Sequence, residues 1–185
     1  MLKSFTFIKA KPGTEKNLTE EILKIPETLE AHSIMGEFDL LVVLGVDEDL
    51  VATPWKHLSE ILTSKIRVMR GIIETQTVIP TSSKIKEGHL FEFSKLARGF
   101  VFVDTMPGRE ASVMNRLIQM DEVLEAHLIP GKHDILTVVE VRKTVLPPRY
   151  PKIIERMVVN NISKMSGVKE TETIIPDAFN FKEQR

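Results

Sequence analysis

The chain repeats itself, and that repetition limits its possible folds more than any other feature. Phe5-Thr6-Phe7, Pro12-Gly13, Leu29-Glu30-Ala31-His32 and Gly36-Glu37-Phe38-Asp39 recur 95 residues later as Phe100-Val101-Phe102, Pro107-Gly108, Leu124-Glu125-Ala126-His127 and Gly131-Lys132-His133-Asp134. From Phe5 to Val46, 16 of 42 positions are identical at that offset. The ends match after one extra residue in the second copy: Gly71-Ile72-Ile73-Glu74-Thr75-Gln76-Thr77-Val78-Ile79-Pro80 against Gly167-Val168-Lys169-Glu170-Thr171-Glu172-Thr173-Ile174-Ile175-Pro176. Solenoid and propeller repeats run about 20–50 residues, so this period is too long for them. Each copy is instead the size of a small, marginal domain. The expectation is two copies of one module: 1–80, a connector over 81–97, 98–176, and a tail over 177–185.

Within each copy the pattern alternates between strand and helix. Ser4–Ala10 and Gly99–Thr105 are aromatic and β-branched and end at Pro-Gly, a strand followed by a turn. Leu18, Ile22, Leu23 and Ile25 are spaced for one helix face, as are Val113, Leu117, Ile118 and Met120. Strands are predicted over 28–35 and 123–130, then over 39–46 and 134–141 after tight turns at Gly36 and Gly131. Thr53-Pro54 and Pro147-Pro148 open second helices with apolar stripes, which Gly71 and Gly167 stop. A last strand runs to Pro80 or Pro176. The order β-α-β-β-α-β is that of a ferredoxin-like unit.

Leu40-Leu41-Val42-Val43-Leu44 is continuously apolar, the signature of a strand covered on both faces. Two helices cover one face of such a sheet. The predicted fold is therefore α+β: two tandem ferredoxin-like modules whose antiparallel sheets pack face to face, a pseudo-dimer resembling a dimeric α+β-barrel. His89-Leu90-Phe91-Glu92-Phe93 alternates like a further short strand in the connector, and Phe179 and Phe181 give the tail apolar groups to pack.

Charged residues make up 28% of the chain and the formal net charge is −1, values that argue against disorder and strong nucleic-acid affinity. With no cysteine, disulfides, thiolate catalysis and cysteine-ligated metals are ruled out. A strand beginning almost at Met1 leaves no room for a signal peptide, and no apolar run approaches the roughly 18 residues of a membrane span. The expected location is cytoplasmic. Phosphate loops, His-Glu-x-x-His, calcium loops and nucleophile elbows are all missing from the sequence, so no catalytic residue, metal site or cofactor is assigned. The repeated Glu15 and Glu110 open helices, where a carboxylate favours the dipole.

His32 and His127 are repeated polar residues. A two-residue turn at Met35-Gly36 would set position 32 opposite 39, and 127 opposite 134, so that each histidine faces an aspartate. Such a pair either stiffens the turn or forms an acid–base or metal-binding dyad. His57 and His89 are unrepeated and expected in solvent, while His133, in place of Phe38, distinguishes the two copies.

A strand closed by Pro-Gly, the run Leu-Glu-Ala-His-Ser-Ile-Met-Gly-Glu-Phe-Asp-Leu-Leu-Val, and a final Thr-x-Thr strand together resemble the effector-binding (RAM) domain of the Lrp/AsnC regulators. The resemblance implies a duplicated sensing domain without the helix-turn-helix that precedes it in those regulators, and hence no direct DNA binding. It also implies a small-molecule effector, an amino acid or related metabolite, bound near the Gly-x-x-Asp turns. By position that nominates Gly36, Asp39, Gly131 and Asp134, with Thr75, Thr77, Thr171 and Thr173 beside them and His32 and His127 behind. A glycine turn offers N–H groups to a carboxylate, and an aspartate accepts from an ammonium. The implied partners are further copies of the chain, as a homo-oligomer, and a full-length Lrp/AsnC-type regulator. Two other readings stay open: an enzyme or haem- or metal-binding protein of the dimeric α+β-barrel kind, with His32 or His127 in a deep pocket, and a co-assembly module that binds no ligand.

Overall fold

The structure, a computed structural model, describes residues 1–49, 52–86, 96–142 and 150–182. It separates into two compact units, one comprising Met1–Ile79 with Pro176–Arg185 and the other Pro80–Ile175. The first contains strand β1 (Leu2–Ala10), helix α1 (Glu15–Leu23), β2 (Thr28–Ser33), β3 (Leu40–Val46), α2 (Pro54–Ile61) and β4 (Ile72–Val78). The second contains β5 (Ser82–Ile85), β6 (Leu96–Thr105), α3 (Glu110–Leu117), β7 (Val123–Leu128), β8 (Ile135–Arg142), α4 (Tyr150–Met157) and β9 (Val168–Ile174). Both α2 and α4 run on into a single π-helical turn, at Leu62–Ile66 and Val158–Ile162. The alternating strand at His89–Phe93 and the Pro147-Pro148 helix start lie outside the described residues.

The first sheet has the order β2-β3-β1-β4 and the second β5-β7-β8-β6-β9, all neighbours antiparallel. Stripped of β5 the two orders are the same, and each is the ferredoxin-like arrangement. In the first unit Ile8, Leu40, Val42 and Leu44 pack in one core with Leu18 and Ile22 of α1, Leu58 and Ile61 of α2 and Ile66 of the π turn that follows it. Removing one such side chain to alanine costs about 2–5 kcal/mol, part lost transfer energy and part cavity. Every residue from Leu40 to Leu44 is buried, as are Phe5 and Phe7 on the alternate positions of β1, so neither face of the central strands meets water.

Sequence reasoning missed an extension of the duplication. The segment after each repeat's last strand is also duplicated, with little identity. Ser82–Ile85 pairs along β7, and the tail pairs along β2 through Ser33 with Ala178 and Glu30 with Phe181. Thr81 N–H donates to the Leu128 carbonyl and Asp177 N–H to that of Ser33, both at the start of the segment. At its end, Lys86 and Lys182 N–H donate to Leu124 and Leu29. The lysine ammonium groups then reach the turn after the first helix, Lys86 to the Met120 carbonyl at 2.5 Å and Lys182 to that of Ile25 at 2.7 Å. Each unit is thus completed by the segment that follows the other repeat. An outer strand that would otherwise present unpaired N–H and C=O groups is covered.

Candidate functional site

Hydrogen bonds, more than the glycines, build the Gly-x-x-Asp hairpins. Gly36 and Gly131 sit at φ 134° and 126°, a region an L residue enters only with strain. A Cβ at either position would meet nothing within 4 Å. Asp39 then ties the hairpin to the end of β1: its carboxylate accepts from Ala10 N–H at 2.7 Å, and its N–H donates to Ile8. Asp134 repeats this with Thr105, accepting from N–H at 2.7 Å and from the hydroxyl at 3.0 Å.

This geometry corrects the expected histidine–aspartate pairing. The loop from Ser33 to Leu40 is longer than a two-residue turn, so His32 pairs with Leu41 and His127 with Leu136. His32 Nε2 instead meets Glu30 at 2.7 Å and its Nδ1 accepts from Asn180 N–H at 3.3 Å. His127 meets Glu125 at 2.9 Å and the Ser83 hydroxyl at 2.8 Å. Both rings are 0% exposed. With both ring nitrogens engaged, neither histidine presents a free atom to a metal or haem. The tail phenylalanines have their place here: Phe179 and Phe181 meet the His32 ring edge-on, at centroid distances of 5.8 and 5.3 Å.

The nominated threonines lie on the helix-facing side. Arg67 Nε donates to the Thr75 hydroxyl at 2.9 Å, and Ser163 bonds Thr171 at 2.8 Å, each from the residue after a π turn. Thr77 bonds Thr6 at 3.1 Å, while Thr173 faces Val101 across the strands. These bonds tie the last strand to its neighbours.

His133 lies at the second hairpin with its ring 4.8 Å from Phe102, where Phe38 stands 5.8 Å from Phe7 in the first copy. Its Nδ1 meets Asp104 at 2.8 Å and its Nε2 meets Glu172 at 3.5 Å. Among the described residues no group of three or more histidine, aspartate or glutamate side chains is arranged to hold a metal. His57, expected in solvent, is instead partly buried and bonds Glu27 at 3.1 Å. Burial alone would raise the Glu27 carboxyl. Its own backbone N–H, His57 and Lys65 together outweigh that and hold it below its ordinary value.

A cleft of about 540 Å³ opens beside the first hairpin, within the usual range for small-molecule sites. Its walls are one face of α1 (Glu15, Lys16, Thr19, Glu20, Leu23), the end of the hairpin (Ser33, Ile34, Asp39) and the tail (Ala178, Asn180). Of the nominated residues, Asp39 lines this cleft; Gly36, Thr75 and Thr77 do not. The helix and tail residues carry no motif. The signal that finds them is the difference between the copies at matched positions.

The sequence profile of the Lrp/AsnC ligand binding domain matches residues 3–90. This part of the chain belongs to that family. Two relatives from Pyrococcus each match part of the chain. An uncharacterized HTH-type transcriptional regulator of Pyrococcus furiosus is 25% identical over 121 residues, 60% of this chain and 77% of the relative. Another, of Pyrococcus abyssi, is 32% identical over 79 residues, 41% of this chain. The match spans about half of that relative, 49%. The siroheme decarboxylase NirDL covers 97% of the chain and 74% of its own length with a TM-score of 0.60 at 6% identity, a likeness of fold alone. The Lrp/AsnC domain and its copy thus hold their hairpins with one pair of aspartate clasps. No helix among the described residues is long and apolar enough to cross a membrane.

Proposed function

We propose that the chain is a small-molecule sensor of the Lrp/AsnC type that acts through its own assembly or through a partner regulator. The observation that carries this reading is the cleft beside Asp39, in a segment belonging to a ligand-binding family. Asp39 anchors the hairpin wall, α1 supplies the charged wall and the tail closes the third side. The effector is an amino acid or related metabolite. Such a ligand moves an assembly only if it binds one state better than another, and a wall built from a docked tail segment offers that difference.

The test is a thermal-shift screen of amino acids and central metabolites, repeated on Ala178→Trp, which fills the cleft from an exposed wall position. A ligand at 100 times its dissociation constant adds about 2.7 kcal/mol. A shift lost in Ala178→Trp, with light scattering showing a ligand-dependent change in assembly or in binding to an added Lrp/AsnC regulator, supports the reading. A folded protein that shifts with no compound, or shifts equally with the cleft filled, removes it.

A further inference from the structure

The two copies are not equivalent at the cleft. At matched positions Lys16, Thr19, Glu20 and Ser33 of the first copy become Ala111, Met114, Asn115 and Leu128 of the second. The tail and β5 align through their pairing: Ala31 N–H takes the Asn180 carbonyl, and the matching Ala126 pairs with Lys84. Lys84 therefore stands where Asn180 stands. In the second unit the Lys84 ammonium donates a hydrogen bond to the Asn115 side-chain carbonyl, crossing from β5 to α3. The corresponding residues of the first unit, Asn180 and Glu20, both line the open cleft.

We infer that the first unit's cleft is a site for a small molecule bearing protonated amines, and that the second unit fills its equivalent with the Lys84 side chain. This rests on reading the cleft as the effector site and adds the ligand class and the stoichiometry, one per chain. Three features support it. In the second copy an alkyl chain ending in ammonium spans the matching position, from β5 to Asn115 of α3. The first copy has no such chain, Asn180 being too short to supply it, and carries a carboxylate at Glu20 where the second has an amide. Finally, Glu15, Glu20 and Asp39 outnumber Lys16 on the walls. Glu15 accepts from Gly13 N–H and Asp39 from Ala10 N–H, whereas Glu20 has no hydrogen bond or ion pair among the described residues. A carboxylate lining a cleft, at the position where the second copy holds an ammonium by hydrogen bond, selects a cation through a charge-assisted hydrogen bond.

Calorimetric titration of the full chain with 1,5-diaminopentane, 1,5-pentanediol and glutarate, three five-carbon probes differing in end group, tests this. The diamine is expected to bind once per chain and the other two not at all. Glu20→Gln, at an exposed position, is expected to weaken it at least tenfold. Asn180→Lys is expected to abolish it, with an unchanged or raised melting temperature. The pair Lys84→Asn with Asn115→Glu is expected to raise the stoichiometry from one to two. Binding of the diol or glutarate that Asn180→Lys abolishes would overturn the amine class and leave the cleft as the effector site. Diamine binding unaffected by Asn180→Lys would overturn the site itself. Absence of binding by all three at millimolar concentrations overturns the amine proposal, and the metabolite screen with Ala178→Trp then decides the effector reading by itself.

Discussion

Asp39 and Asp134 are the residues that family likeness first singles out, yet the structure gives each a mechanical task whose magnitude can be worked out. Asp39→Ala removes the acceptor for one backbone N–H, that of Ala10. Asp134→Ala removes the acceptor for two donors, the N–H and hydroxyl of Thr105. A hydrogen bond to a charged partner contributes about 1.5–3 kcal/mol, and both carboxylates are partly exposed, which favours the lower end. The expected costs are about 1.5 kcal/mol for Asp39→Ala and about 2–3 kcal/mol for Asp134→Ala. For a chain this long, 1 kcal/mol moves the melting temperature by about 2–4 °C, so the shifts are roughly 3–6 °C and 4–12 °C. Asparagine keeps a carbonyl oxygen of the same shape, so the Asn variants are expected to recover at least half of each loss. Urea denaturation followed by far-UV circular dichroism measures all four. If Asp39→Ala matches the native midpoint, or Asn is as damaging as Ala, the hairpin clasp does not stabilise the fold and the reasoning fails. The consequence for ligand work is direct. An alanine at position 39 alters the wall as well as the charge, and a loss of binding there does not by itself identify a contact.

Four further outcomes follow, three from packing and one from charge. Ser4 carries a buried hydroxyl without a partner among the described residues, so Ser4→Ala should be neutral or stabilising by about 1 kcal/mol. At the matching Gly99, a Cβ would lie 2.9 Å from Ile154 and 3.1 Å from Val139, so Gly99→Ala should cost about 1–3 kcal/mol in calorimetry. Deleting residues 177–185 removes the Lys182 contacts with Ile25 and Pro26 and uncovers the outer edge of β2. The truncated chain should melt lower and self-associate in light scattering; an unchanged monodisperse profile would contradict the capping role. The Glu27 carboxyl is held below its unfolded value, so an unfolding chain takes up a proton there first as pH falls. The stabilisation is complete above the usual carboxylate range and disappears as pH drops through the folded-state value. With partners this exposed it amounts to no more than about 1 kcal/mol. Glu27→Gln should show a correspondingly flatter acid limb, and an identical limb would refute it.

Most of the fold was legible because local chemistry and tertiary packing agree. Pro12-Gly13 and Pro107-Gly108 end strands, Leu18 and Ile22 share one helix face, and Leu40–Leu44 required cover on both sides. Register was not legible. The distance from His32 to Asp39 depends on how many residues the loop absorbs, and sequence does not fix that number. The wrong length paired His32 with Asp39, when its partner is Glu30, two residues away on the same strand. The arms were also invisible. In Pro80–Lys86 and Pro176–Lys182 the end prolines and lysines match and the residues between do not, because backbone pairing to an edge strand asks little of side chains. Since the tail forms one wall of the cleft, the site was half hidden for the same reason.

The divergence between copies has a physical logic that fusion makes available. In a symmetric dimer of identical modules every substitution appears twice, and a filled cleft in one copy means a filled cleft in both. A tandem chain is free of that constraint. At the second hairpin, Lys9, Phe38 and Gln76 have become Asp104, His133 and Glu172. All three changed together, and Asp104 and Glu172 both meet the His133 ring. The histidine keeps the ring contact with Phe102, but alone it would have no carboxylate to meet, and either acidic residue alone would have no ring nitrogen. Lys84 and Asn115 form a second such pair, again with both partners changed. That second pair sets a lysine side chain where the first unit has Asn180. The first unit keeps the cleft, with Glu20 and Asn180 on its walls. An open cleft with an unmatched carboxylate contributes nothing to stability, whereas the second unit has a hydrogen-bonded pair at the positions of Asn180 and Glu20. A cleft of this kind is the arrangement expected where the proposed ligand, and not a side chain, supplies the partner for Glu20.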